Sequence, residues 1–587
     1  MEIEVNETYR AQFCVIGGGM AGLCAAVAAA RRGVKTALVQ DRPVFGGNAS
    51  GEVRMWIRGA GHHFPFYREG GIVEELAMAN IRYNPTLSFG VWDGVLYDLA
   101  AGEKNLKVFL NATCTGAKEE NGRILYADIW QLTTYKKLRI FAEYFADCSG
   151  DSILSYCTSA AFTSGREDKA RYGEKDGVAA ADGCTMGSSC LIQVRETAEK
   201  VPFTPPSFAR KLTEEEFRYR MDTNSRGVFR TDNFWWMELG GTKDVTRDAE
   251  EIKTELLALA YGVWDYIKNS GKFDSDNWTL DWVSFLGGKR ESRRYIGDYV
   301  LNENDLLSAR VFGDEVAYGG WPMDDHNPAG FDSADPPNRN IFPKQPYGIP
   351  YRCLYSKNIE NLFFAGRNVS VSHLALSSTR VMGTCAALGQ AAGTACSLLV
   401  GRKKAARDVD IAALQQALRD DDCFLLNTPR RLSAAMAGAE SSLSEGEKRI
   451  LAAGVERKLG EEAYCIERAV GETLEFTFPK TRAGAVRIVF DNDIAREYCK
   501  NPWSRSYPMK LNISLADEQE KMPPSLVKAY RVETLIGGKW RTVREEKENY
   551  RRLVRIPVGG EIEGVRLTGL ETYGAKTVRV ISVDLVD

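Results

Sequence analysis

The sequence predicts an α/β protein: a parallel-sheet domain split into two segments, an α+β domain inserted between them, and a C-terminal β-sandwich. Three observations predict it. Phe13-Cys14-Val15-Ile16 is a short apolar, β-prone run that leads through glycines into an alanine-rich stretch, the order strand, turn, helix. A second such unit stands far downstream, where Asn361 to Gly366 precedes another small-residue helix running through Gly389 and Gly393. Beyond Ser444 apolar and polar residues alternate through Leu474–Phe478, Ala485–Phe490, Ala529–Glu533 and Val578–Val583, the period of half-buried strands.

At 587 residues the chain exceeds what one hydrophobic core holds. The segments read as 1–151, first part of the split domain; 152–355, substrate or cap domain; 356–405, second part; 406–440, helical linker; and 441–587, β-sandwich. Net charge is −3, without the basic surplus of a nucleic-acid binder. No uninterrupted apolar stretch reaches the roughly 18 residues of a membrane span, and the acidic start from Met1 to Glu7 does not read as a secretory signal. The thirteen cysteines include no C-x-x-C pair. Many, such as Cys14, Cys24, Cys385 and Cys396, lie in apolar or small-residue segments, so they read as reduced thiols of a cytoplasmic protein rather than metal ligands. Four histidines exist, His62, His63, His326 and His373, and no third ligand at helix spacing joins the first two, so no metal site is expected.

Gly17-Gly18-Gly19-Met20-Ala21-Gly22 is G-x-G-x-x-G between a strand and a helix, which makes the first segment a Rossmann unit. Gly17 allows the tight turn, Gly19 admits a pyrophosphate to the backbone, and Gly22 lets helix pack on strand. Free N–H groups at Met20 and Ala21 and the positive helix end would hold the phosphates. Gly33 ends the helix, and Lys35 to Val39 forms a second strand. Such strands usually end in an acid that holds ribose hydroxyls. Gln40 stands there, with Asp41 and Arg42 beside it, and its amide can still bond a hydroxyl.

The Gly46-Gly47 pair beyond the second strand, Asp147-Cys148-Ser149-Gly150-Asp151, Arg290 to Leu301 and Asn361 to Gly393 complete a pattern. On these stretches, from about Phe13 to Val400, the chain resembles the bacterial FAD-dependent oxidoreductases, relatives of the fumarate-reductase and glutathione-reductase flavoproteins. The resemblance implies FAD. It lays backbone at Gly46, Gly47, Asn48 and Ser50 along the cofactor, with Arg54 facing the same region. It passes Asp147 and Gly150 near the adenine side, and brings Gly366, Arg367, Ser378 and Arg380 to the flavin end. Relatives that tether FAD covalently carry a histidine just after the Gly-Gly pair. Asn48-Ala49-Ser50-Gly51 has none, so binding is expected to be non-covalent.

Flavin chemistry needs a group that handles a proton beside the hydride. His373, in the loop before the late helix, is the first candidate, followed by His62 and His63 near glycines. Arg290 and Arg293, in the run Arg290-Glu291-Ser292-Arg293-Arg294, are candidates to clamp a carboxylate or an oxyanion. His326 reads as a loop residue roofing the pocket, and Trp235, Trp236 and Trp321 as faces for a sugar. The order of C-terminal strands resembles a discoidin-like, galactose-binding module, with Trp540 in a hairpin position.

The expected activity is hydride transfer between flavin N5 and a small organic substrate, leaning to a secondary alcohol of a carbohydrate. Two alternatives stand beside it: fumarate-reductase-like reduction of an unsaturated acid, and a non-catalytic carbohydrate-binding or assembly protein with structural FAD. A second G-x-G-x-x-G for a nicotinamide donor is absent, and neither electron acceptor nor oligomeric state is legible.

Overall fold

The computed structural model describes residues 4–499 and 507–586. Met1 to Ile3 of the amino-terminal stretch, and 500–506 and Asp587 of the C-terminal segment, lie outside them. The chain forms two compact units, one of residues 1–59, 86–410 and 509–519, the other of 60–85, 411–508 and 520–587. Among the described residues no helix is long and apolar enough to cross a membrane.

The first unit is built on a five-stranded parallel sheet. Its strands are β1 (Phe13–Ile16), β2 (Thr36–Val39), β3 (Leu106–Phe109), β4 (Tyr144–Asp147) and β5 (Leu362–Phe364), in spatial order β5-β4-β1-β2-β3. β1, β2 and β4 are buried at every position, which is why they read as apolar runs rather than alternating ones. Ile16 pairs with Val39 on one side and Asp147 on the other, so the ends of three strands meet at the glycine turn. Helix α1 (Met20–Arg31) follows that turn, and after β5 come α2 (His373–Thr379) and α3 (Met382–Leu399). Small residues on α1 and α3 let the helices touch backbone to backbone: a Cβ at Gly389 would stand 1.9 Å from the Ala21 carbonyl oxygen, and one at Gly393 2.1 Å from that of Ala25. A separate four-stranded sheet (Glu7–Arg10, Lys136–Phe141, Arg123–Gln131, Ala112–Glu120, in that order) completes the nucleotide-binding part.

The inserted region has its own core around the helix Ala249–Asn269, filled by Phe217, Phe229, Trp236, Trp264, Trp278 and Phe331. Trp236 is therefore core filler and not a sugar platform, and Trp235 leans edge-on to His326 with ring centroids 5.1 Å apart. His326 is not in a loop. It ends a strand, Met323–His326, paired with Asn338–Ile341, and is buried.

The second unit is a seven-stranded antiparallel sheet. Its two longest strands, Thr473–Phe490 and Leu553–Thr572, pair along most of their length with register breaks near Thr477/Thr481 and Ala483/Ala485 that bend both. Gly537 and Gly538, both at positive φ, make the two-residue turn of the hairpin 527–546. Trp540 sits in that hairpin with the Arg566 guanidinium 4.0 Å over its ring. The segment 60–85 joins this unit because Met78 and Ile81 of the helix Ile72–Tyr83 enter its core and Glu74 is buried between Arg68 and Arg496. The boundaries read from sequence had kept 60–85 with the first segment, and the periodicity of one short helix does not say which core it serves.

Candidate active site

At the nucleotide turn each glycine meets a distinct constraint. Gly17 takes φ +100°, and a Cβ there would lie 2.5 Å from the Ser149 backbone. A Cβ at Gly22 would lie 1.8 Å from the Gly17 carbonyl oxygen. Gly19 differs. Its φ is −63°, and an added Cβ would meet nothing nearer than the Gly47 Cα at 3.9 Å, so the space above it is open. Gly19 caps α1 without a side-chain bond and bridges to Gly46, placing the two glycine segments side by side at the helix end.

Gln40 spends its amide inside the protein, accepting from the Gly18 N–H at 2.7 Å and donating to the Val44 carbonyl at 2.9 Å. It braces the turn, whereas Asp41 next to it is exposed. Arg42 stands 3.9 Å from Glu52. Asn48 donates to the Lys289 carbonyl, and the Ser50 hydroxyl to the Gly47 carbonyl. Arg54, at φ +59°, stacks on Trp282 at 4.3 Å and bonds Gln193.

Asp147 is a hub. Its carboxylate accepts from Ser149, the Leu154 N–H and the Tyr295 hydroxyl. Burial raises its pKa, and these donors oppose the rise. Its oxygens are thereby engaged inside the fold, by Ser149, Leu154 and Tyr295. Gly150, at φ +78°, lies against the Arg367 guanidinium, and Arg367 pairs with Asp151 at 2.9 Å. Two buried atoms of the second segment, Arg367 Nε and Asn368 Oδ1, have no hydrogen-bond partner among the described residues. A Cβ on Gly366 would stand 3.5 Å from that Asn368 oxygen and 3.6 Å from the Ala21 Cβ, so the orphaned acceptor lies beside the start of α1. Ser378 is occupied otherwise, its hydroxyl shared between Tyr347 and the Trp321 carbonyl.

Five residues beyond Asn368, His373 opens α2 and is fully enclosed by charge. Its Nδ1 lies 3.0 Å from Glu291 and its Nε2 3.0 Å from Asp325. Its backbone N–H donates to Glu167. Arg294 then ties Glu291 and Glu167 together. Burial alone would strip the ring of its proton, but the charge of Glu291 and the hydrogen bonds of Asp325 and Glu291 outweigh it and push His373 up to about 10. Alongside, His326 has Nδ1 2.5 Å from Glu238 and Nε2 3.1 Å from Asp324. Arg290 pairs with Glu238 at 3.2 Å, and Arg380 with Asp324 at 3.1 Å.

A family model described as FAD dependent oxidoreductase matches residues 12–418. The chain belongs to the FAD-dependent oxidoreductases. FAD is its cofactor, and the open face of Gly19, the Gly46-Gly47 backbone and the orphaned Arg367 and Asn368 atoms fit such a group. Solved structures match it at low identity and low TM-score. L-proline dehydrogenase from P. horikoshii is 18% identical over 29% of this chain and 26% of that one, TM-score 0.16, so the chain spans about a quarter of its length. E. coli quinol fumarate reductase is 12% identical over 71% and 74%, TM-score 0.29. The family 32 carbohydrate-binding module of Streptococcus pneumoniae EndoD is 11% identical over 26% and 99%, TM-score 0.20. No curated protein matches the chain significantly.

Of the residues singled out for chemistry, this FAD-dependent oxidoreductase brings His373 and Arg290 into one charged cluster. Arg293 points elsewhere, stacked on Tyr156 at 3.4 Å and Phe162 at 4.2 Å. His62 and His63 belong to the second unit, their rings edge to face at 4.8 Å. Sequence reasoning missed Glu167, Glu238, Asp324 and Asp325, and had Glu291 and Arg294 only as members of the charged run expected to contact substrate or cofactor. Asp324-Asp325-His326 carried a signal, acids adjacent to an imidazole. Glu167 left none, since only the folded loop brings it to His373. The Arg294→Met variant strands Glu291 and Glu167 without their guanidinium, and a denaturant melt is expected to show a loss of about 3–5 kcal/mol. A loss under about 1 kcal/mol would remove Arg294 from the set of groups holding the cluster.

Proposed function

We propose that the chain moves hydride between FAD and a secondary-alcohol carbon of a small polar substrate, with the buried Glu291–His373–Asp325 array managing the charge left by the departing proton. FAD, when bound, supplies the hydride acceptor. One observation carries the reading: a histidine bonded through both ring nitrogens to carboxylates, five residues from the orphaned Asn368 oxygen on the same connection. A ring that keeps its proton well above neutrality is a fixed cation and hydrogen-bond donor. Its two nitrogens are taken by Glu291 and Asp325, so it acts by holding Asp325, and the hydroxyl proton passes to the Asp325 carboxylate at the more open end of the array as the hydride leaves for FAD.

The rival, reduction of an unsaturated acid, needs an arginine clamp for the carboxylate. Arg290 and Arg294 are committed to Glu238, Glu291 and Glu167, and Arg293 to aromatic rings. The carbohydrate lean keeps less support than the tryptophans had suggested, because Trp236 is core and one face of Trp540 carries Arg566. Buried cysteines outside any disulfide, such as Cys14, Cys148, Cys190 and Cys353, support a reducing, cytoplasmic setting.

Purified protein is expected to show flavin bands that pass into the supernatant on heat denaturation. Under anaerobic conditions secondary alcohols and polyols should bleach them. Failure of every alcohol, together with reoxidation of reduced protein by an unsaturated acid, would reverse the assignment. A flavin inert to both series would favour a structural cofactor.

A further inference from the structure

Three stretches of the first unit close on the glycine turn. A Cβ at Gly17 would lie 2.5 Å from the Ser149 backbone, Gly19 bridges to Gly46 with the Gly47 Cα across its open face, and a Cβ on Gly366 would stand 3.6 Å from the Ala21 Cβ at the start of α1. Just past each contact stands a polar residue. Asp151 follows Ser149 by two positions, Asn48 follows Gly47, and Arg367 follows Gly366.

Lys289 ties these stretches together. Its ammonium pairs with Asp151 Oδ2, and its carbonyl accepts from the Asn48 amide at 3.0 Å. Arg367 takes the other Asp151 oxygen at 2.9 Å. Yet Lys289 belongs to the inserted region, on the short strand Gly288–Lys289 that pairs with Ser188–Ser189. That edge runs along the stretch after the Gly-Gly pair. The Ser284 hydroxyl lies 3.0 Å from the Glu52 carbonyl, and a Cβ at Gly288 would meet the Val53 side chain at 3.1 Å.

One carboxylate is thus shared by two cations. Burial alone would raise the Asp151 pKa, but the charges of Arg367 and Lys289 outweigh it and hold Asp151 at about 2. The three side chains are only 17–20% exposed. Ions so enclosed are costly unless further partners complete their bonding, and Arg367 Nε is a buried donor with no partner among the described residues. The acids next along these stretches answer other groups: Asp147 bonds Ser149, Leu154 and Tyr295, and Glu52 stands 3.9 Å from Arg42. An anion brought to the glycine turn would supply what the two cations lack.

We propose that Lys289 is a cofactor-holding residue supplied by the inserted region: with Arg367 it binds the diphosphate of FAD, and Asp151 keeps the two cations in place. Lysine serves such a group as a point charge. The inserted region then takes part in binding the cofactor itself. The proposal rests on FAD as cofactor and not on the alcohol reading, so either can fail without the other.

The test uses full-length protein stripped of FAD and titrated with FAD and with ADP, which carries the diphosphate but no flavin. ADP should displace FAD from the parent protein. In Lys289→Met the affinities for both should fall about tenfold or more. The parent's ADP affinity should also fall more steeply with added salt than the variant's. Lys289→Arg keeps the charge and should bind ADP within about threefold of the parent. Should Lys289→Met not fold, Lys289→Gln takes its place with the same expectation. Failure of ADP to displace FAD from the parent, or unchanged ADP affinity in a folded charge-free variant, would overturn the assignment even if FAD binding were weakened.

Discussion

Gly19→Ala is expected to yield a folded protein that has lost its flavin. The backbone there is at φ −63°, a conformation alanine accepts, and the added methyl meets no atom closer than 3.9 Å. Its stability should stay within about 0.5 kcal/mol of the parent. The same methyl stands where the cofactor pyrophosphate must approach the helix end, so FAD affinity should fall at least about tenfold, which corresponds to roughly 1.4 kcal/mol. Gly22→Ala is the contrasting variant. Its methyl would lie 1.8 Å from the Gly17 carbonyl oxygen, and the strand–turn–helix unit must shift, at a cost of about 3 kcal/mol or more. Flavin titration and denaturant melts on the two variants separate binding from folding. Unchanged FAD affinity in Gly19→Ala would remove the glycine turn from the cofactor site.

His373→Gln should flatten the alkaline limb of the stability curve. The ring is raised from 6.5 to about 10 in the folded state, so its contribution is complete below the unfolded value near 6.5 and is lost as pH rises through about 10. Between pH 7 and 10 the parent should lose roughly 3 kcal/mol that the glutamine variant never had. The variant should also be less stable at pH 7 by about 3–5 kcal/mol, because Glu291 keeps only Arg294 as a charged partner. Parallel melts of the two proteins from pH 7 to 10 would mean that His373 is neutral in the fold and that the charged array is misassigned.

The cofactor half of this protein was legible in the residues themselves. A phosphate-binding turn is local: strand, three glycines and helix lie within Phe13 to Arg31, and the chemistry is carried by backbone that any G-x-G-x-x-G between a strand and a helix must present. The late unit around β5, α2 and α3 was equally visible, because close helix packing demands small residues and leaves Gly389 and Gly393 as their trace. The C-terminal strands showed their two-residue period.

Only the tertiary structure decided which charges meet. Glu291 and His373 are 82 positions apart, and Asp325 and His373 are 48. In the run from Arg290 to Arg294, residues 290, 291 and 294 turn into the cluster while 293 turns out onto Tyr156 and Phe162. That stretch has no regular helix or long strand to impose a period, so side-chain direction could not be read from spacing. The segment 60–85 likewise took its place from Met78 and Ile81, whose partners come from strands hundreds of residues later. Helix and turn signals are written in neighbouring residues, whereas a buried ion cluster is specified by desolvation and mutual compensation among groups that the chain alone keeps far apart.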